Sequence, residues 1–238
     1  MVKRKTALNI RKAHRYLGIF IGIQFIMWTV SGLYFSWTDL DEIHGDHFKK
    51  EKPIHSAFSE LRSPTNLNPD LKVTSVKLQE ISGEPYYYIN DEILMDARSG
   101  EKIKEINKKQ ALDIASRYMK NDLEVSGIER IIETGKHHEY RERLLPAYVI
   151  SYKTDENLKA YVGALTGNFN TVRHQDWRWF DFLWMTHTMD YEGRDDFNNL
   201  LLRAFSLLGL ITVLSGFLLW YVSSPTVRKI LKPVKKKK

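Results

Sequence analysis

The chain has 238 residues, 43% of them hydrophobic and 27% charged, which is a globular balance and enough length for one domain or two small ones. It has no cysteine, which excludes disulfides, thiolate metal sites, iron–sulfur clusters, a cysteine nucleophile and covalent haem attachment. The formal charge of +7 is concentrated at the ends: six basic residues precede Tyr16 and seven follow Val222, with no acid among either group, so residues 16–222 together carry −6. That distribution excludes a basic nucleic-acid-binding face.

In chain order, the basic tail 1–15 leads into an apolar run, Tyr16 to Trp37, with no charge and only Gln24 clearly polar. A run of this length predicts a helix able to cross about 30 Å of hydrocarbon. It is longer than a usual signal-peptide core and no A-x-A-like site follows it, so it reads as an uncleaved anchor. On one helical face fall His14, Gly18, Ile21, Phe25, Trp28 and Gly32, with Gly18 and Gly22 forming G-x-x-x-G. Small residues there let another helix, or a flat ligand, approach closely.

Residues 38–199 are polar overall. Val73–Gln79, Pro85–Ile89 and Glu92–Asp96 read as short strands, followed by a turn at Ser99 and Gly100. Asn107 then caps a predicted helix through Met119, with Ala111, Ile114, Ala115 and Tyr118 at helical spacing. Further strands are expected at Ile128–Glu133, Ala147–Lys153 and Ala160–Leu165, with a turn at Thr166 and Gly167. The stretch around Asp96–Ile103 matches that around Gly163–Asn170, each preceded by a proline and aromatic or β-branched residues. Two copies of a small helix-and-hairpin unit explain the match. Residues 176–190, rich in tryptophan and phenylalanine, read as an interfacial segment.

A second apolar run, Leu200 to Val222, predicts a second crossing, its one charge Arg203 lying near an end where it can snorkel. It repeats the first: V-S-G-L-Y-F-S-W at 30–37 and L-S-G-F-L-L-W at 214–220. The tail 223–238 ends in four lysines, Lys235 to Lys238, which read as a contact with anionic lipid or as a solvated topology signal. Basic residues flanking both spans place both termini in the cytoplasm and residues 38–199 outside.

The helix A-L-D-I-A-S-R-Y-M at 111–119, then L-P-A-Y-V-I-S-Y and Y-V-G-A-L-T-G-N-F, resemble the PepSY domain, a small α/β module found outside bacterial cytoplasmic membranes. With H-R-Y-L-G opening the first span and the Ser-Gly pairs in both spans, nearly the whole chain resembles a PepSY-associated transmembrane helix protein. The implied fold is an α+β extracytoplasmic domain of two helix-plus-antiparallel-sheet repeats flanked by two transmembrane helices. Gly163 departs from the pattern, standing where the second copy would often carry an acid like Asp96.

No hydrolase motif, H-E-x-x-H, P-loop or strand-borne G-x-G-x-x-G is present, which leaves no flavin or NAD site and makes any electron donor a quinol or a cytoplasmic reductase. What remains is histidine placement. His14 precedes the first span on the glycine face, as in sites that hold haem b without covalent bonds; its other reading is an interfacial His-Arg pair with Arg15. His187 lies in the aromatic interfacial segment, where plain anchoring is the alternative. His14 and His187 belong to opposite membrane faces and cannot share one iron. An inner haem would take His14 from two subunits of a homodimer, a four-helix bundle; an outer one would take His187 with His44 or with a second His187. Arg15 inside, and Arg178, Arg194 and Arg203 outside, are candidates for propionate contacts. His47 and His174 are further choices, and His55, His137 and His138 read as loop histidines.

The resemblance implies a haem-dependent reductase of ferric iron or a ferric siderophore, with His14 and His187 as the carried-over ligands. Reduction frees iron because ferrous ion binds hard oxygen ligands less tightly than ferric ion. Two other readings stay open: a membrane-anchored binding module that recognises or inhibits a partner such as a protease, and an accessory subunit of an iron transporter with no redox centre.

Overall fold

The structure is a computed structural model that describes residues 4–51, 56–67 and 70–224. The lysine run 235–238, assigned above to lipid contact, lies outside the described residues, as does His55. The chain divides into two compact units, residues 38–181 and the flanking segments up to 37 and from 182 onward.

The flanking unit is built on two long helices. Helix α1 runs Arg4–Trp37, so it starts well before the apolar run: residues 4–15 contain no glycine or proline to stop it and are mostly good helix formers. Its pair, α6, runs Leu200–Ser223 and is capped by the Asn199 side chain, which accepts the Leu202 N–H at 2.8 Å. Both are long and apolar enough to cross a membrane. They pack with Phe20 stacked on Phe205 at 5.6 Å. The close approach occurs at Gly209, where an added Cβ would lie 3.1 Å from the Phe25 ring. The glycine face of α1 behaves differently from the helix-packing expectation. Gly18, Gly22 and Gly32 have open space where a Cβ would stand, so they are not what brings α6 close.

In the central unit, α2 (Leu40–Ile43) and a 3₁₀ turn (Asp46–Phe48) follow directly, then a helical turn α3 (Pro64–Leu67). Two four-stranded antiparallel meanders follow. The first orders β1 (Val76–Ile81), β2 (Glu84–Ile89), β3 (Ile93–Asp96) and β4 (Lys102–Ile103); the second orders β5 (Val125–Ile131), β6 (Ala147–Tyr152), β7 (Lys159–Gly163) and β8 (Phe169–Arg173). Between them lies α4 (Lys108–Tyr118), whose start is a full capping box between Asn107 and Gln110. The fold class expected from the sequence is therefore present: two antiparallel sheets with helices between two candidate membrane helices. The unit closes with the start of α5 (Gln175–Thr188), which continues into the flanking unit.

Period-two alternation explains how both faces of a sheet are used. Tyr86 and Tyr88 of β2 join Ile114 of α4 and Ile150 and Val162 of the second sheet in the main core, while Tyr87 and Ile89 point to a second cluster with Met95. Phe48 is buried in the main core, worth about 2 kcal/mol, and anchors the 3₁₀ turn on the domain. The two turn glycines expected from the repeat, Gly100 and Gly167, both have positive φ, 81° and 67°. In the first copy Asp96 closes its turn by accepting the N–H groups of Arg98 and Ser99 at 2.9 and 2.6 Å. In the second copy no side chain fits at Gly163: an added Cβ would lie 2.5 Å from Thr166 Oγ1. The Thr166 hydroxyl caps that turn instead, accepting the Asn168 N–H at 3.2 Å.

Candidate functional site

The flanking unit holds His14 and His187, and each meets a serine of the other helical element. His14 on α1 contacts Ser215 Oγ of α6 through Nδ1 at 2.8 Å. His187, in the last turn of α5, contacts Ser31 Oγ of α1 through Nδ1 at 2.7 Å. A serine has a single hydroxyl proton. Ser215 donates its proton to the Thr212 carbonyl at 2.7 Å, and Ser31 donates to the Met27 carbonyl at 2.6 Å. Each serine oxygen therefore accepts, and each histidine donates Nδ1–H. In that arrangement the Nδ1–H tautomer of an imidazole presents Nε2 as a lone pair. Among the described residues neither Nε2 has a hydrogen-bond partner.

The surroundings keep these rings in place. Gly216 leaves room for the His14 ring, since a Cβ there would stand 3.2 Å from Cε1. Beside it an apolar hollow of about 440 Å³ is lined by Val213, Gly216, Phe217 and Trp220. One turn along α1 from His14, Gly18 is open. Around His187, Trp28 Nε1 donates to the His187 carbonyl at 2.8 Å, Gln24 donates to the Thr186 carbonyl at 3.2 Å, and Phe35 packs edge-on at 5.6 Å. Gln24, the lone polar residue of the first run, thus holds the end of α5. Burial pushes the His187 pKa down, which favours the neutral ring that ligates a metal. Seventeen positions of α1 separate His14 from Ser31, about 25 Å at 1.5 Å per residue, so the two imidazoles meet one helix at well-separated points.

The serines were the residues missed in the sequence. The Ser-Gly pairs are visible in the sequence as a repeat between the spans; their pairing with one histidine each is a tertiary fact. The arginines divide. Arg15 is exposed, and Arg203 is exposed with Nη2 3.3 Å from Asn198 Oδ1. Arg178 does not serve as expected: it is committed to Glu139, with Nε donating to Oε2 at 2.7 Å and Nη2 to Oε1 at 3.1 Å. Glu139 also accepts from Tyr161 at 2.6 Å. Burial opposes its charge, but Arg178, Tyr161 and Lys159 outweigh that and hold the carboxyl below the usual carboxylate range. Burial and this same carboxylate push the Tyr161 hydroxyl far up.

The remaining candidate histidines lie in the central unit. His44 is exposed and lines a cleft of about 500 Å³ with Lys49, Arg143, Arg173 and Trp177. Arg173 stacks on the Trp177 ring at 3.9 Å, and Tyr118 stacks on Phe169 at 4.6 Å at the same cleft. Asp46 also lines the cleft and pairs with Lys49 at 2.7 Å, which leaves Arg143 and Arg173 beside flat rings as the cations that suit an anionic ligand with aromatic character. His47 and His174 come together elsewhere in the domain, with their rings 5.3 Å apart.

A family model described as PepSY-associated TM region matches residues 2–223. No curated protein and no solved structure matches the chain.

Proposed function

The chain belongs to the PepSY-associated transmembrane family, and on that premise we propose that it is a membrane-bound haem b electron-transfer protein that reduces ferric iron or a ferric siderophore outside the cytoplasmic membrane. The observation that carries the reading is the matched pair of serine-held histidines: each has Nδ1–H tied to a helix-borne hydroxyl and Nε2 left as a donor lone pair. That is the arrangement expected of imidazole ligands whose orientation is set by an outer partner. A haem b at each end would supply a one-electron carrier.

His14 and His187 hold the iron in this reading, Ser215 and Ser31 orient them, Gly216 makes room for the His14 ring, and Gly18 leaves open space beside it for a macrocycle. Arg15 and Arg203, both exposed, are the propionate partners in this reading. Each chain offers one oriented imidazole per end. A homodimer, a four-helix bundle, would supply the second axial ligand at each haem, and the open glycines of α1 leave room for it. The basic tails put both termini in the cytoplasm, so electrons enter from a quinol or a cytoplasmic reductase and leave on the side of the PepSY domain. The cationic cleft around Arg173 and Trp177 suits an anionic, aromatic iron chelate as acceptor.

The test is a dithionite-reduced minus oxidised visible spectrum of detergent-purified protein expressed with ample haem. A b-type signal is expected, with His14→Ala and His187→Ala each removing part of it and abolishing ferric-chelate reduction. A flat spectrum from folded, haem-supplied protein would overturn the proposal and leave the PepSY domain as a binding module on a membrane anchor.

A further inference from the structure

Inside the central unit, three ligand-bearing side chains converge that the redox reading does not use. Among the described residues, His47, Glu156 and His174 each offer one atom, and these atoms lie within 4.8 Å of one another. They come from three separate stretches of chain: the 3₁₀ turn, the connection between β6 and β7, and the residue just before α5.

His174 is the informative member. It is fully buried, and its Nε2 is 3.1 Å from the Ile43 carbonyl oxygen, which can only accept. Nε2 therefore carries the proton. In the neutral ring that leaves Nδ1 as a lone pair, and Nδ1 is buried with no hydrogen-bond partner. It sits 3.3 Å from Glu156 Oε2, an oxygen that also presents lone pairs. Two facing lone pairs at this distance repel unless a positive charge lies between them, and the charge can be a second proton on His174 or a metal ion.

The surrounding construction favours the ion. An imidazole whose other nitrogen donates to a backbone carbonyl is the usual support of a metal ligand. An Nδ1–Oε2 separation of 3.3 Å matches the roughly 3.3 Å edge of a tetrahedron built on bonds of about 2.0–2.1 Å. The third member arrives by design of the loop. Gly45 has φ +72°, and an added Cβ would meet Val172 Cγ1 at 3.0 Å, so only glycine lets the turn press against β8 beside His174. Phe48, buried in the core, then holds His47 in register. A proton between His174 and Glu156 would make no use of His47.

We propose that His47, Glu156 and His174 form a site for a divalent first-row transition ion, of which Zn²⁺ is the simplest probe, with a fourth position open to water. Two imidazoles and a carboxylate suit such borderline ions and not Mg²⁺ or Ca²⁺, which prefer all-oxygen shells. The ion would clamp the first and last segments of the domain together, because His47 lies shortly after α1 and His174 immediately precedes α5. The site is independent of His14 and His187.

The experiment uses the full chain in detergent, without a polyhistidine tag, after chelator treatment. Equilibrium dialysis against Zn²⁺ at neutral pH is expected to give one tightly held ion per chain, with Mg²⁺ unable to compete. His47→Ala and Glu156→Gln, both at solvent-accessible positions that leave the core intact, should each weaken Zn²⁺ on the order of tenfold or more, while His14→Ala leaves it unchanged. Zn²⁺ should also raise the thermal midpoint of the wild type and not of the two site variants. No bound Zn²⁺ in folded protein, or equal binding by wild type and both variants, would overturn the proposal and assign the His174–Glu156 contact to a shared proton.

Discussion

If His14 holds a haem iron through Nε2 as proposed, replacing Ser215 with alanine removes the acceptor of the His14 Nδ1–H and leaves the ligating Nε2 in place. The lost contact is a 2.8 Å hydrogen bond between half-buried groups, and the donor left behind stands beside Gly216. An unsatisfied donor in such a place costs about 1–3 kcal/mol. That penalty lowers stability with or without a ligand, whereas losing the outer partner of a metal-ligating imidazole costs about 10–100-fold in affinity, so haem affinity at this end should fall by about that factor. The midpoint potential of that haem should move as well, because Nδ1–H donation makes Nε2 a more basic ligand. Ser31→Ala should do the same at the His187 end and leave the His14 end unchanged, since about 25 Å of helix separates them. Haem titration followed in the reduced-minus-oxidised spectrum, with a potentiometric titration of each variant, reads both effects. Ser215→Thr keeps a hydroxyl and should recover most of the loss. If Ser31→Ala and Ser215→Ala both retain wild-type haem affinity and potentials, the serines do not orient ligands and the argument fails.

Gly209→Ala should destabilise the pairing of α1 and α6 by about 1–3 kcal/mol, because the new methyl falls 3.1 Å from the Phe25 ring; Gly18→Ala, with open space at the same test, should not, and thermal unfolding in detergent compares them. Glu139→Gln should cost about 3 kcal/mol by leaving Arg178 without its carboxylate. Because the folded pKa of Glu139 lies below its ordinary value, its stabilisation is present above about 4.5 and is lost as pH falls through the lower folded value; denaturant midpoints should therefore drop more steeply in acid for the wild type than for Glu139→Gln. Asn107→Ala breaks the capping box of α4 and should lower stability by about 1 kcal/mol in the same denaturation assay.

The parts of this protein that were legible in the sequence are those that local physics decides. Uncharged runs of helical length, a side-chain cap at Asn107, and glycines forced into positive φ at 100 and 167 each act within a few residues, so they could be read without knowing the fold. What could not be read is polar pairing at a distance. Phe169–Arg173 carries one fully buried apolar residue, Val172, among polar neighbours, so β8 has little strand pattern of its own and exists because β7 pairs with it. Arg178 looked available because its partner Glu139 lies 39 positions away. The serines show the same limit most clearly. In a helix that faces hydrocarbon, a hydroxyl can satisfy itself on the carbonyl of the preceding turn, as Ser31 does at Met27, and so appears to need nothing further. The same bond also commits its proton and turns the oxygen into a pure acceptor. A histidine Nδ1–H that docks there, from 156 positions away for Ser31 and 201 for Ser215, gains both a fixed ring and a free Nε2. The repeated Ser-Gly pair is thus a small-residue repeat by sequence and an imidazole-holding device by tertiary structure, with the hydroxyl to hold the ring and, at Gly216, the missing Cβ to make room for it.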